Sequence, residues 1–148
     1  MIEHMLENNK VNITGRAISE LVYSHQVYDE GFYSFDLEVP RLSGESDILP
    51  ITISERLLVS QGNIQGKILD ITGQFRTYNH YAEEKNHLIL TVFALEVKEV
   101  TEEEIKKSKN IICLKGYVCK EPVYRTTHYG KEIIDLLLAV NRSYHRSA

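Results

Sequence analysis

With 148 residues, the chain has room for one ordinary domain, or for one small barrel and part of another. Its 43% hydrophobic and 26% charged residues are the balance of a packed globular protein, which excludes a disordered chain. No run approaches the roughly 18 consecutive apolar residues of a membrane helix, and the N-terminus MIEHMLENNK has no hydrophobic signal region, so a cytoplasmic location without membrane association is expected.

The formal net charge of −4 opposes nucleic-acid binding on average, but the charge is unevenly placed. Met1 to Lys109 holds 11 basic and 18 acidic residues, a balance of −7, while Asn110 to Ala148 holds 6 basic and 3 acidic, a balance of +3.

Alternation of apolar and polar residues makes strand the leading state along the chain. Val11 to Ile18 reads as a first strand. Gly31 to Val39 reads as a second, with Phe32, Ser34, Asp36 and Glu38 on one face and Tyr33, Phe35, Leu37 and Val39 on the other. Phe35 is assigned to the core because Leu37 and Val39 continue its face, whereas Tyr33 fits either core or surface. Asp47 to Ser54 forms a third strand. Glu55 to Ser60, which lacks glycine and proline and stops at Gln61-Gly62-Asn63, suits a short helix ended by a glycine. A fourth strand follows over Lys67 to Tyr78, a polar turn over Ala82 to Asn86, and a fifth strand over His87 to Val100. Five strands with a short helix between the third and fourth is the order of an OB-fold barrel. The charged run Thr101 to Lys109 reads as a solvated linker, or as a short helix in which Thr101 and Glu104 form a capping box.

The chain then repeats itself. A shift of 101 positions lays Gly15, Glu20, Val22, Tyr23, Tyr28, Leu37, Val39 and Arg41 onto Gly116, Glu121, Val123, Tyr124, Tyr129, Leu138, Val140 and Arg142, eight identities within 27 positions without a gap. Val11 and Ile13 fall on Ile112 and Leu114. The expected organisation is therefore an OB-fold domain over 1–100, the charged segment 101–109, and the first two strands of a second, incomplete OB-fold over 110–148. Gly15 and Gly116 are expected where the first strand of a barrel must bend sharply. Tyr23 and Tyr124 are assigned to packing, and Tyr28 and Tyr129 to packing or stacking.

The residues of this second segment, from the apolar strand ending at Gly116 through Glu121-Pro122, Arg125, the turn at Gly130-Lys131 and the run Leu138-Ala139-Val140-Asn141-Arg142, resemble the start of a bacterial single-stranded DNA-binding protein. The first unit resembles the same family over Asn9 to about Val100, through Asp47-Ile48-Leu49-Pro50 and Gly73-Gln74-Phe75-Arg76-Thr77. The resemblance implies a binder of unpaired DNA that acts without strong sequence preference and assembles into dimers or tetramers. It departs from the family at Ser54, Glu55 and Arg56, where an aromatic, a glycine and a basic residue usually end the third strand, and the chain has no tryptophan.

Such binding needs flat side chains for base stacking and cations along the backbone. The candidates in the first unit are Arg76, Tyr78 and Tyr81, at the end of the fourth strand and beyond. In the second they are Arg125 and Lys131 about the hairpin turn, and Tyr144 framed by Arg142 and Arg146. No catalytic or cofactor constellation emerges: the six histidines are dispersed, no glycine loop cradles phosphate, and Cys113 and Cys119 suit two reduced thiols better than a zinc site. Single-stranded DNA, further copies of the chain and proteins of replication or repair are the expected partners. The alternative is an assembly module whose acidic first barrel has lost DNA binding.

Overall fold

The structure, a computed structural model, describes residues 8–107 and 110–141, with the side chains at 78–82, 86–87 and 107 outside the description. The chain divides into two compact units, Lys10–Ile112 and a second that combines Met1–Asn9 with Cys113–Ala148.

In the first unit, β1 (Asn9–Ala17), β3 (Glu30–Pro40), β4 (Ser46–Ser54), β5 (Ile68–Ala82) and β6 (Lys85–Glu99) lie in the order β3-β4-β6-β5-β1, with β2 (Val22–Val27) outside β3. A further pairing of Arg16 with Glu38 and Ala17 with Leu37 joins β1 back to β3 and closes the barrel. All of these pairs are antiparallel except β4 with β6, where Ile51 meets Val92 and Thr52 meets Phe93. That parallel pair requires a crossover, which helix α1 (Glu55–Leu58) and strand β5 provide. This is the all-β, five-stranded OB barrel with one short helix that the alternation predicts.

Alternate residues of β1, β3, β4, β5 and β6 turn inward, whereas β2 is exposed throughout. Val11, Ile13, Phe35, Leu37, Val39, Ile51, Ile53, Leu69, Ile71 and Val92 form one buried cluster, joined by Ile64 from the loop after α1. Burial of each such branched side chain stabilises the barrel by about 1.5–3 kcal/mol. Phe35 belongs to this core as assigned, while Tyr33 packs only partly against it. The barrel closes tightly at Gly15, where a Cβ would lie 2.3 Å from the Glu38 carbonyl oxygen.

Several boundaries differ from expectation for local reasons. Strand β2 was not foreseen, because a bulge between Tyr23 and His25 breaks its alternation. Helix α1 is shorter than expected: Ser54 caps it by accepting from the Arg56 N–H, and Gly62, at φ +65°, donates its N–H to the Leu58 carbonyl. The turn after β5 narrows to Glu83 and Glu84, both at positive φ, so the strands run out to Ala82 and Lys85. The run after Val100 forms helix α2 (Glu102–Lys107), and the Thr101 hydroxyl accepts from the Glu104 N–H at 3.4 Å.

Beyond α2 lies β7 (Ile111–Leu114). The Lys115 N–H donates to the Asn8 carbonyl. In the second unit β8 (Tyr117–Val118) pairs with β11 (Leu138–Ala139), and β9 (Val123–Thr126) with β10 (Glu132–Asp135). As far as Tyr124 these pairings reproduce the barrel's at a shift of 101: Tyr117 with Ala139 repeats Arg16 with Glu38, and Val123 with Asp135 repeats Val22 with Ser34. The bond from the Cys119 N–H to the Leu137 carbonyl repeats that from Ile18 to Asp36. A Cβ at Gly116 would likewise lie 2.2 Å from the Ala139 oxygen.

Candidate nucleic-acid interface

The residues opposite the core face cover the barrel's outer surface, and there four side chains form a continuous stack. The His25 ring lies parallel to Phe32, with centroids 5.0 Å apart and planes at 13°. Phe32 approaches Phe93 at 5.6 Å, and the Arg76 guanidinium carbon sits 3.9 Å from the centre of the Phe93 ring. The stack thus crosses β2, β3, β6 and β5.

Its spacing depends on the strand beneath. β4 lies between β3 and β6, with Ser54 opposite Phe32 and Thr52 opposite Phe93. Strands two apart are separated by about 9.6 Å, so the rings meet only by leaning over short side chains. Thr52, Ser54 and Thr91 are accordingly buried although they face outward. Their hydroxyls are satisfied: those of Thr52 and Thr91 share a hydrogen bond at 2.8 Å, and that of Ser54 donates to Glu30. Opposite Ser54, where the resemblance leads one to expect an aromatic, the neighbouring strand supplies Phe32.

The bulge at β2 places His25 opposite Phe32. His25 is exposed, Phe32 is buried below it, and Phe93 and Arg76 are half-buried. The guanidinium of Arg76 also donates to the Gln74 side-chain oxygen at 3.1 Å, which fixes it over the ring. A cation held on a π face beside further rings can receive a nucleobase and a phosphate.

Of the residues singled out by sequence, Arg76 is thus part of the stack. Tyr78 and Tyr81 follow on β5, opposite Ile89 and Asn86 of β6, with their side chains outside those described. Arg125 and Lys131 share the β9–β10 hairpin of the second unit. Arg125 donates to Asp135 at 2.6 Å, and that hydrogen bond together with the carboxylate's charge raises its already high pKa. Lys131 is exposed in the turn. Arg142, Tyr144 and Arg146 lie outside the described residues. Tyr23 and Tyr124, assigned to packing, are both exposed: Tyr23 meets Tyr33 edge-on, and the Tyr124 hydroxyl donates to Glu132.

Sequence reasoning missed His25, Phe32 and Phe93. Phe32 stood on the polar face of its strand in the alternation, which was the available signal. Its partnership with Phe93 spans 61 positions and depends on the parallel β4–β6 pairing. Several other barrel cations are engaged with carboxylates: Arg16 with Glu102, Arg41 with Asp47, Arg56 with Glu30 and Lys67 with Glu99.

No family model matches the chain, and no curated protein matches it. Among solved structures, the wild-type single-stranded DNA-binding protein from Thermus aquaticus has 17% identity, with 90% of this chain and 68% of that one covered at a TM-score of 0.65. A deletion mutant of the Thermus aquaticus protein has 16% identity, with 90% and 69% covered and the same TM-score of 0.65. The fold is therefore that of the bacterial single-stranded DNA-binding proteins. The N-terminal domain of PriB from Thermoanaerobacter tencongensis, whose structure is dimeric, is 45% identical over 64% of this chain and 98% of that one, with a TM-score of 0.55. At that level of identity the chain belongs to the family of the PriB N-terminal domain.

Proposed function

We propose that this protein is a non-catalytic binder of single-stranded DNA that acts without strong sequence preference in replication or repair and associates with copies of itself. The observation that carries the reading is the stack His25–Phe32–Phe93–Arg76 on the outer face of an OB barrel. The fold shared with the single-stranded DNA-binding protein from Thermus aquaticus supports it, and the dimeric state of the PriB relative supports the self-association. Arg76, Tyr78 and Tyr81 would contact the strand from the barrel. Arg125, Lys131, Arg142, Tyr144 and Arg146 would do so from the second segment, which we read as the opening of a second OB-fold over 110–148. The charged run over 101–109, a linker or short helix, separates it from the first domain, 1–100.

Binding would combine stacking with counterion release, so the logarithm of affinity should fall linearly with that of salt, by about 0.7 per phosphate neutralised. The test is a fluorescent oligothymidine against the matching duplex over a salt series. Preference for the single strand with a steep slope is expected. Phe93→Ala should weaken binding by about 1–3 kcal/mol, the usual contribution of one stacked base.

The pairing of Arg16, Arg41, Arg56 and Lys67 with carboxylates favours a second reading, an OB assembly module without DNA. Absence of oligothymidine binding at low salt, with self-association intact, would select it.

A further inference from the structure

Six of the eight repeated identities divide according to what the fold requires of them. Gly15 and Gly116 are required, because a side chain at either would strike a carbonyl oxygen. Leu37 and Val39 are required in the barrel core. Val22, Tyr23 and Tyr28 are different, since they and their counterparts Val123, Tyr124 and Tyr129 are all exposed. The extreme case is the tyrosine at the hairpin tip, 89% exposed at both Tyr28 and Tyr129.

Turn geometry does not explain a tyrosine there. In the barrel, Val27 pairs with Glu30 across a two-residue loop in which Tyr28 has φ +48° and Asp29 φ +66°. Loops of this kind favour Asn-Gly or Asp-Gly, and a bulky aromatic in the left-handed region is unfavourable. In the second unit the loop is longer, from Thr127 to Lys131, and Gly130 takes the positive φ at +82°. The two turns therefore differ in length and backbone, yet each presents a tyrosine at the equivalent position. An exposed residue that opposes its own turn in one copy and is indifferent to the turn in the other is retained for what it touches outside the chain.

We infer that Tyr28 and Tyr129 are two equivalent nucleobase-stacking contacts, one at the tip of each repeated hairpin. The inference rests on the single-stranded DNA reading above and adds contacts outside the barrel's stack. A tyrosine offers two open π faces with little rotamer freedom to lose, which suits any unpaired base. His128 meets Tyr129 edge-on at 5.5 Å, and Lys131 follows in the same turn, so that tip combines a ring with a cation.

The test uses the full chain with Tyr28→Ala, Tyr129→Ala, the double variant, and Tyr28→Phe with Tyr129→Phe, measured by fluorescence anisotropy on oligothymidine at fixed salt. Each alanine variant should bind roughly five- to a hundredfold more weakly, with the double variant weaker than either. The phenylalanine variants should stay within about twofold of wild type, because stacking needs the ring rather than the hydroxyl. The salt slope should be unchanged, since no cation is removed. Full exposure of both residues predicts unaltered thermal melting. If wild type binds oligothymidine and the alanine variants bind equally well, the tip contacts are refuted while the binding function stands. If wild type does not bind, both fall together. If the alanine variants lose self-association by sedimentation but keep oligothymidine, the tips dock a second copy, and the inference is overturned.

Discussion

The first barrel and the second unit use the same residues to opposite effect. Ile13 is 0% exposed and its counterpart Leu114 is 45% exposed; Ala17 is 1% exposed and Val118 is 56% exposed. Phe35 is buried while Leu136, its equivalent, is exposed. Hydrogen-bond register nevertheless coincides between the two as far as Tyr23 and Tyr124, down to the carbonyl against each glycine, and diverges only at the β2 bulge. Register is thus specified by the hairpins themselves, through inward-facing residues and a glycine that permits close approach. Burial requires more. In the barrel, β4, β5 and β6 supply Ile51, Ile53, Leu69, Ile71 and Val92 to cover the same face. Among the described residues, the second unit contains no strands equivalent to these three.

The largest expected effect follows from this contrast. Ile13→Ala removes a fully enclosed side chain and should lower barrel stability by about 2–5 kcal/mol in urea denaturation. Leu114→Ala, at the equivalent position, should lower it by less than about 1 kcal/mol, because the lost atoms are already near water. Equal losses would break the comparison and show the second unit to be covered in solution. A smaller difference is expected at the glycines. Gly15→Ala drives a methyl group into the Glu38 carbonyl within a closed barrel and should cost about 1–3 kcal/mol. Gly116→Ala meets the same obstacle at Ala139, but a half-open hairpin can part. Its signature should be faster amide exchange across β8 and β11 with an unchanged urea midpoint.

The fold was readable because its information is local. Alternation at Tyr33–Val39 placed Phe35, Leu37 and Val39 inward, and the break at Glu55 located the helix. Strand β2 escaped because one extra residue at its bulge shifts the period, and period is the property alternation measures. The candidate site was legible only at Arg76. Phe32 and Phe93 are brought together across β4, and their contact depends on Thr52 and Ser54 being short, a condition set by three strands at once. His25 depends on the bulge, which the second copy lacks: there Arg125 pairs with Ile133 at the place where the barrel diverges, and its guanidinium turns to Asp135. A repeat visible in sequence thus conceals a difference in surface chemistry.

The smallest expected effect contrasts the ion pairs of the two units. In the barrel, Arg41 grips Asp47 with two bonds, Nε to Oδ2 at 2.9 Å and Nη2 to Oδ1 at 2.5 Å. The hydrogen bond from Arg41 holds the Asp47 carboxyl below its ordinary value, against an opposing effect of desolvation and with the help of the Arg41 charge. A carboxyl whose folded pKa is depressed contributes stability that is complete above its unfolded value, about 3.9, and is lost as pH falls through the lower folded value. Melting temperature should therefore decline more steeply below about pH 4 in wild type than in Asp47→Asn, with the difference limited to about a degree or two because the pair is solvent-exposed. In the second unit the guanidinium of Arg125, like that of any arginine, stays charged at every working pH and adds no titration of its own. If Asp47→Asn melts in parallel with wild type from pH 5 to pH 2, the Arg41 fork contributes nothing to the barrel, and acid sensitivity must originate from other carboxylates.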